Sequence, residues 1–85
     1  MIDLYKTSPE EFEDAKRISF RMYLNGLSQY LVSNILNMAK EYQGTYELMV
    51  LWEHALESGD LFEKKEIEKD LLDEIEDWKT LNEWK

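Results

Sequence analysis

Three glycines and a single proline punctuate this 85-residue chain, and each stands where a helix can begin or end. Ser8-Pro9-Glu10-Glu11 is a helix start. The serine can cap, Pro9 fits the first turn because its missing N–H costs nothing there, and Glu11 completes a capping box. Asn25-Gly26 supplies the left-handed residue that ends a helix, with Leu27 positioned to pack back over the last turn. Gly44-Thr45 is expected to end a second segment and cap a third, and Ser58-Gly59 to stop the third. Asp60 then opens a fourth, with Glu63 as its capping-box partner. No proline follows Pro9, no Asn-Gly is flanked by alternating apolar residues, and no β-branched run occurs, so strands are not expected.

Four helices result, over about residues 9–24, 28–42, 46–57 and 60–83. Each carries an apolar stripe at helical spacing. The stripes are Phe12, Ala15, Ile18, Ser19, Met22 and Tyr23 in the first helix and Leu27, Leu31, Ile35, Met38 and Tyr42 in the second. They continue with Leu48, Leu51, Trp52, Ala55 and Leu56 in the third, and Ile67, Leu71, Ile75, Trp78 and Leu81 in the fourth. Val32, Leu36 and Ala39 widen the second stripe to about half the circumference. Short joints favour antiparallel neighbours, so the expected fold is all-α, a single-domain up-down bundle of four helices. The alternative merges the second and third helices through Gly44, since one glycine inside a helix costs only ~1 kcal/mol, and would favour a dimer. The core is expected to include Phe12, Met22, Leu31, Ile35, Leu51, Trp52, Ile67, Leu71, Ile75 and Trp78.

With a net charge of −9, the chain repels nucleic acid and anionic membrane unless a basic patch intervenes. Lys16, Arg17, Arg21 and Lys40 fall in a stretch without acids. The first three read more simply as complements to the first helix dipole, with Glu13 and Arg17 as an i,i+4 pair. There is no cysteine, hence no disulfide or thiolate metal site. The first six residues do not resemble a signal peptide, and no run approaches the ~18 apolar residues that span a bilayer. A cytoplasmic location is expected.

Residues for chemistry are scarce. The one histidine, His54, has Glu47 and Glu57 at helical spacing, but Glu-x-x-His does not occur and His-Glu-x-x-His is impossible. His54 therefore reads as a residue at the edge of the buried face, with a metal-binding or enzymatic bundle around it as the remote alternative. No serine stands in Gly-x-Ser-x-Gly and no glycine-rich phosphate loop exists. No catalytic residue, metal or cofactor is expected, and the chain reads as a non-enzymatic protein.

Two surfaces suggest a protein partner. Leu27 to Ala39 holds no charged side chain in a chain that is 34% charged, so that helix is expected to be covered on most sides. Its polar residues Gln29, Ser33 and Asn37 can enter an interface without desolvating a charge. Apolar residues off the core stripes are Phe20, Leu24, Tyr30, Tyr46, Val50 and Trp84. Self-association as a homodimer through Phe20, Leu24, Tyr30, Ser33 and Asn37 is the first expectation. The second concerns Glu66 to Asp77, with Glu66, Glu68, Asp70, Asp73, Glu74, Glu76 and Asp77 against the single base Lys69. That stretch is either a solvated outer face or an acidic surface, centred on Asp70, Asp73, Glu74 and Asp77, for the basic site of a DNA- or RNA-handling protein.

Overall fold

A computed structural model describes residues 6–83. It is an all-α four-helix bundle: α1 (Pro9–Leu24), α2 (Gln29–Glu41), α3 (Gln43–Ser58) and α4 (Leu61–Glu83), with no strand among the described residues. The capping box of α1 forms as expected. Ser8 Oγ accepts from the Glu11 N–H at 3.2 Å, and Glu11 Oε1 accepts from the Ser8 N–H at 2.9 Å. Beyond α1, Gly26 adopts φ 103°, its N–H donates to Tyr23 O, and Leu27 N–H donates to Met22 O. These are the paired bonds of a Schellman ending, which satisfy carbonyls that the helix leaves open. Gly59, at φ 78°, repeats the arrangement after α3, with Asp60 N–H donating to Ala55 O at 3.0 Å. Asp60 Oδ1 caps α4 by accepting from Glu63 N–H. Because the Asp60 N–H is committed to Ala55, only this half of the expected box is made.

The α2–α3 break is not at Gly44. Tyr42 alone is extended (φ −125°, ψ 121°), ending α2 and opening α3. Gly44 and Thr45 lie inside the first turn of α3. One residue with extended ψ redirects the axis while the Tyr42 N–H still bonds Met38 O and the Thr45 N–H bonds Tyr42 O. No left-handed glycine is required, and the helices remain two. Thr45, expected as a cap, is instead buried.

α3 packs on all three other helices, α2 likewise, and α1 and α4 do not touch. Side-chain pairs give the directions. Asp14 meets Tyr46 and Arg21 meets Glu57, so α1 and α3 run parallel. Thr45 meets Glu74 and Trp52 meets Glu68, so α4 runs back along α3. Thr7 donates to Ala39 O near the end of α2, so α2 runs opposite to α1.

The core joins Ala15, Ile18, Met22, Ile35, Met38, Ala39, Met49, Trp52, Ala55, Ile67, Leu71 and Ile75. Of the expected core, Phe12, Leu31 and Trp78 are half-buried against it, and Leu51 is a correction, being 53% exposed. Because α3 contacts three helices, its buried arc is wide and rotated from the expected stripe. Thr45 and Met49 lie inside it, and Tyr46 and Val50, expected outside, pack against the core. Glu47, Leu51, His54 and Ser58 of α3 stay open along a line, spaced to share one face, and Gly44 and Glu57 are exposed as well. Tyr23, Tyr42 and Leu81 are likewise exposed rather than inward, and Trp84 lies outside the described residues.

Leu71 is fully buried, and Leu71→Ala is expected to cost ~2–5 kcal/mol in urea unfolding. A loss below about half a kcal/mol would contradict its burial. A Cβ added at Gly44 meets nothing within 4 Å. Gly44→Ala is therefore expected to raise stability by ~0.5–1 kcal/mol, read as a higher urea midpoint with unchanged slope.

Candidate protein-binding surfaces

The bases of α1 are engaged within the fold. The expected Glu13–Arg17 pair does not form, because Glu13 turns to Lys16 at 2.8 Å and Arg17 reaches across to α3. Arg17 grips Glu53 with both terminal nitrogens, at 2.6 and 2.9 Å, while its Nε donates to Asp14. Arg21 donates to the same Glu53 at 2.8 Å and to Glu57 at 3.0 Å. Two guanidiniums on one largely covered carboxylate give charge-assisted, partly bidentate bonds. The Arg17 hydrogen bonds, helped by Arg21 and opposed by burial, hold the Glu53 carboxyl down at about 2. Next to this clamp, Asp14 accepts from the Tyr46 hydroxyl and pushes that phenol up to about 12.

On α4 the opposite holds. Glu63, Glu66, Asp70, Asp73, Glu74 and Asp77 recur at helical spacing on one exposed flank, and none is in an ion pair among the described residues. Glu68, counted with this stretch in the sequence, turns inward instead to Trp52 Nε1 at 2.8 Å and Lys64 at 2.9 Å. Burial first, then the neighbouring Asp70 and Asp77, raise the Glu74 carboxyl above its ordinary value, against a weak hydrogen bond donated by Thr45 at 3.4 Å. This flank adjoins the open line of α3, since Leu51, His54 and Ser58 share a shallow groove with Asp60, Glu63 and Ile67. His54 is exposed there, while Glu57 turns away to Arg21. Among the described residues, no group of three His, Asp or Glu side chains is arranged to hold a metal.

A second groove lies where α2, the start of α3 and the last turns of α4 meet. Met38, Tyr42, Gly44, Thr45, Trp78 and Leu81 line it, with Glu74 and Asp77. Tyr42 and Leu81 were expected on the inward stripes of their helices, which hid this groove. The signal was present as the i,i+3,i+4,i+7 relation of Glu74, Asp77, Trp78 and Leu81.

The remaining candidates sit elsewhere. Phe20 and Leu24 are exposed on α1 beside Tyr23, and Ser33 and Asn37 are exposed on α2. α2 is covered by three helices, which accounts for much of its uncharged run within one chain. Tyr30 is 67% exposed, but the Lys79 ammonium of α4 lies 4.3 Å from its ring centre, a cation–π contact. The structure thus gathers Asp70, Asp73, Glu74 and Asp77 on α4 and keeps Phe20 and Leu24 on a helix that α4 does not touch. No described helix is long and apolar enough to cross a membrane. No protein-family model, curated protein or solved structure matches this chain.

The Glu53 carboxyl is lower in the folded chain than its ordinary 4.5, so its stabilisation is present above that value and lost as pH falls toward 2. Glu53→Gln is expected to cost about 1–2 kcal/mol at neutral pH and only a small fraction of that by pH 2, narrowing the acid loss of stability. Equal cost at both pH values would show the clamp to be non-ionic. Glu74 has the opposite sign. Its raised carboxyl opposes folding once ionised, so Glu74→Gln is expected to stabilise the protein at neutral pH and to make no difference where the acid is protonated. Unfolding midpoints at both pH values check this.

Proposed function

We propose that the protein works by binding another protein, with the acidic flank of α4 docking on a basic site such as a DNA- or RNA-handling protein presents. One observation carries this reading. The chain neutralises its Arg17 and Arg21 guanidiniums internally and leaves six α4 carboxylates out of any ion pair among the described residues. A chain of net charge −9 with a run of six such carboxylates along one flank of α4 steers toward a positive partner and away from nucleic acid and anionic membrane. The role is non-catalytic and needs no cofactor. Glu74 fits it, because a carboxylate that opposes its own fold is what a binding surface retains.

The test is affinity capture with the wild type and a variant carrying Asp70→Asn, Asp73→Asn, Glu74→Gln and Asp77→Asn. Capture should fall steeply as salt rises and fall again in the variant, with helicity unchanged. A partner whose affinity ignores both would defeat the proposal.

A second reading is self-association through Phe20, Tyr23, Leu24, Ser33 and Asn37. It is favoured by the contiguous exposure of Phe20, Tyr23 and Leu24 on α1. Because α4 does not touch α1, a dimer on this side would keep the acidic flanks apart. Sedimentation equilibrium should then show a dimer that Phe20→Lys converts to a folded monomer. A wild type that is monomeric at high micromolar concentration contradicts it.

A further inference from the structure

The groove at the end of the acidic flank combines an apolar lining with a pair of carboxylates, as the groove of Leu51, Ile67, Asp60 and Glu63 at the flank's other end does, but no histidine is among the described residues that line it. Met38, Trp78 and Leu81 give it an apolar lining, and Leu81 is left 63% exposed. Glu74 and Asp77, one helical turn apart, add two carboxylates, and no base is among the described residues that line it. Its volume is about 290 Å³, at the small end of ligand clefts, which suits a side chain better than a whole cofactor. Gly44 presents no side chain there, and nothing stands within 4 Å of where its Cβ would be. An approaching backbone therefore meets no obstruction at that point.

We propose that this groove seats one large apolar side chain of a basic protein segment, whose adjacent Lys or Arg residues pair with Glu74 and Asp77. The inference rests on the reading of α4 as a surface for a basic partner, and adds to it an anchor and a register. Charge complementarity selects the occupant. A nucleic acid or an anionic lipid brings the wrong sign, and a purely apolar ligand leaves the two carboxylates facing it without a counter-charge. Glu74 gains most from an outside cation, since burial and its acidic neighbours already disfavour its charge. Beyond the groove, Asp70 and Asp73 continue the flank, so a basic segment running along α4 meets further acids at helical intervals. An anchor in a pocket with charges around it is the usual division between affinity and steering at protein interfaces.

The test is calorimetric titration of the full chain, at low salt, with two synthetic peptides of equal positive charge. One carries leucines between its lysines, and the other has serine in place of each leucine. The leucine peptide is expected to bind about tenfold or more tightly than the serine peptide. Leu81→Ser and, separately, Gly44→Gln should each remove that advantage while leaving the affinity of the serine peptide and the far-UV circular dichroism unchanged. Equal affinity of the two peptides overturns the groove and leaves the electrostatic reading of α4 standing. No binding of either overturns both. A leucine advantage that survives in both variants places the anchor elsewhere and overturns the groove, as does equally tight binding of a leucine peptide carrying glutamates in place of lysines.

Discussion

Trp52 is the side chain around which this bundle is arranged. It is fully buried at the centre of α3, and an indole N–H in that position costs ~1–3 kcal/mol if it finds no acceptor. Glu68 supplies the acceptor at 2.8 Å, and Lys64, one turn earlier on α4, neutralises that carboxylate at 2.9 Å with its ammonium 5.7 Å from the indole ring. The arrangement fixes the rotation of α4 about its own axis. With Lys64 and Glu68 turned toward Trp52 and Ile67, Leu71 and Ile75 buried, the flank carrying Glu63, Glu66, Asp70, Asp73, Glu74 and Asp77 faces solvent.

The next residue organises the other side. Glu53 lies about 100° around α3 from Trp52 and receives Arg17 and Arg21 from α1. Two consecutive residues of one helix thus orient α4 and α1, and together they sort the charge of the molecule. Positive groups of α1 are spent on α3, while negative groups of α4 remain open. The sorting follows from packing: α1 and α4 do not touch, so the guanidiniums of α1 meet the acids of α3 and never those of α4.

The helix starts and stops were legible because they are local. Ser8 with Glu11, Gly26 with Leu27, and Gly59 with Asp60 act within a few residues, and their chemistry reads directly from the sequence. The α2–α3 joint was not, because its break uses the backbone of Tyr42, an ordinary residue that took an extended ψ. The face of α3 was misjudged for a different reason. A stripe of Leu48, Leu51, Trp52 and Ala55 is the best single-sided solution, but a helix with neighbours on three sides buries Thr45 and Met49 and covers Tyr46, releasing Leu51 to solvent. Arg17 with Glu53 and Trp52 with Glu68 join residues on different helices, and periodicity within one helix carries no information about them. The acidic residues of the candidate surface were legible as a charge run. Their separation from Glu68, and the groove beside Glu74, required the rotation of α4.

The central claim is that one glutamate is held charged by the fold and another is left charged against it. Carbon-detected NMR titration of the side-chain carboxyls measures both in a single experiment. The account predicts that Glu53 titrates far below the ordinary glutamate value, near 2, and that Glu74 titrates above it. Coincident titration of the two at the ordinary value would contradict it, since neither the clamp of Arg17 and Arg21 on Glu53 nor the partial burial of Glu74 among its acidic neighbours would then hold.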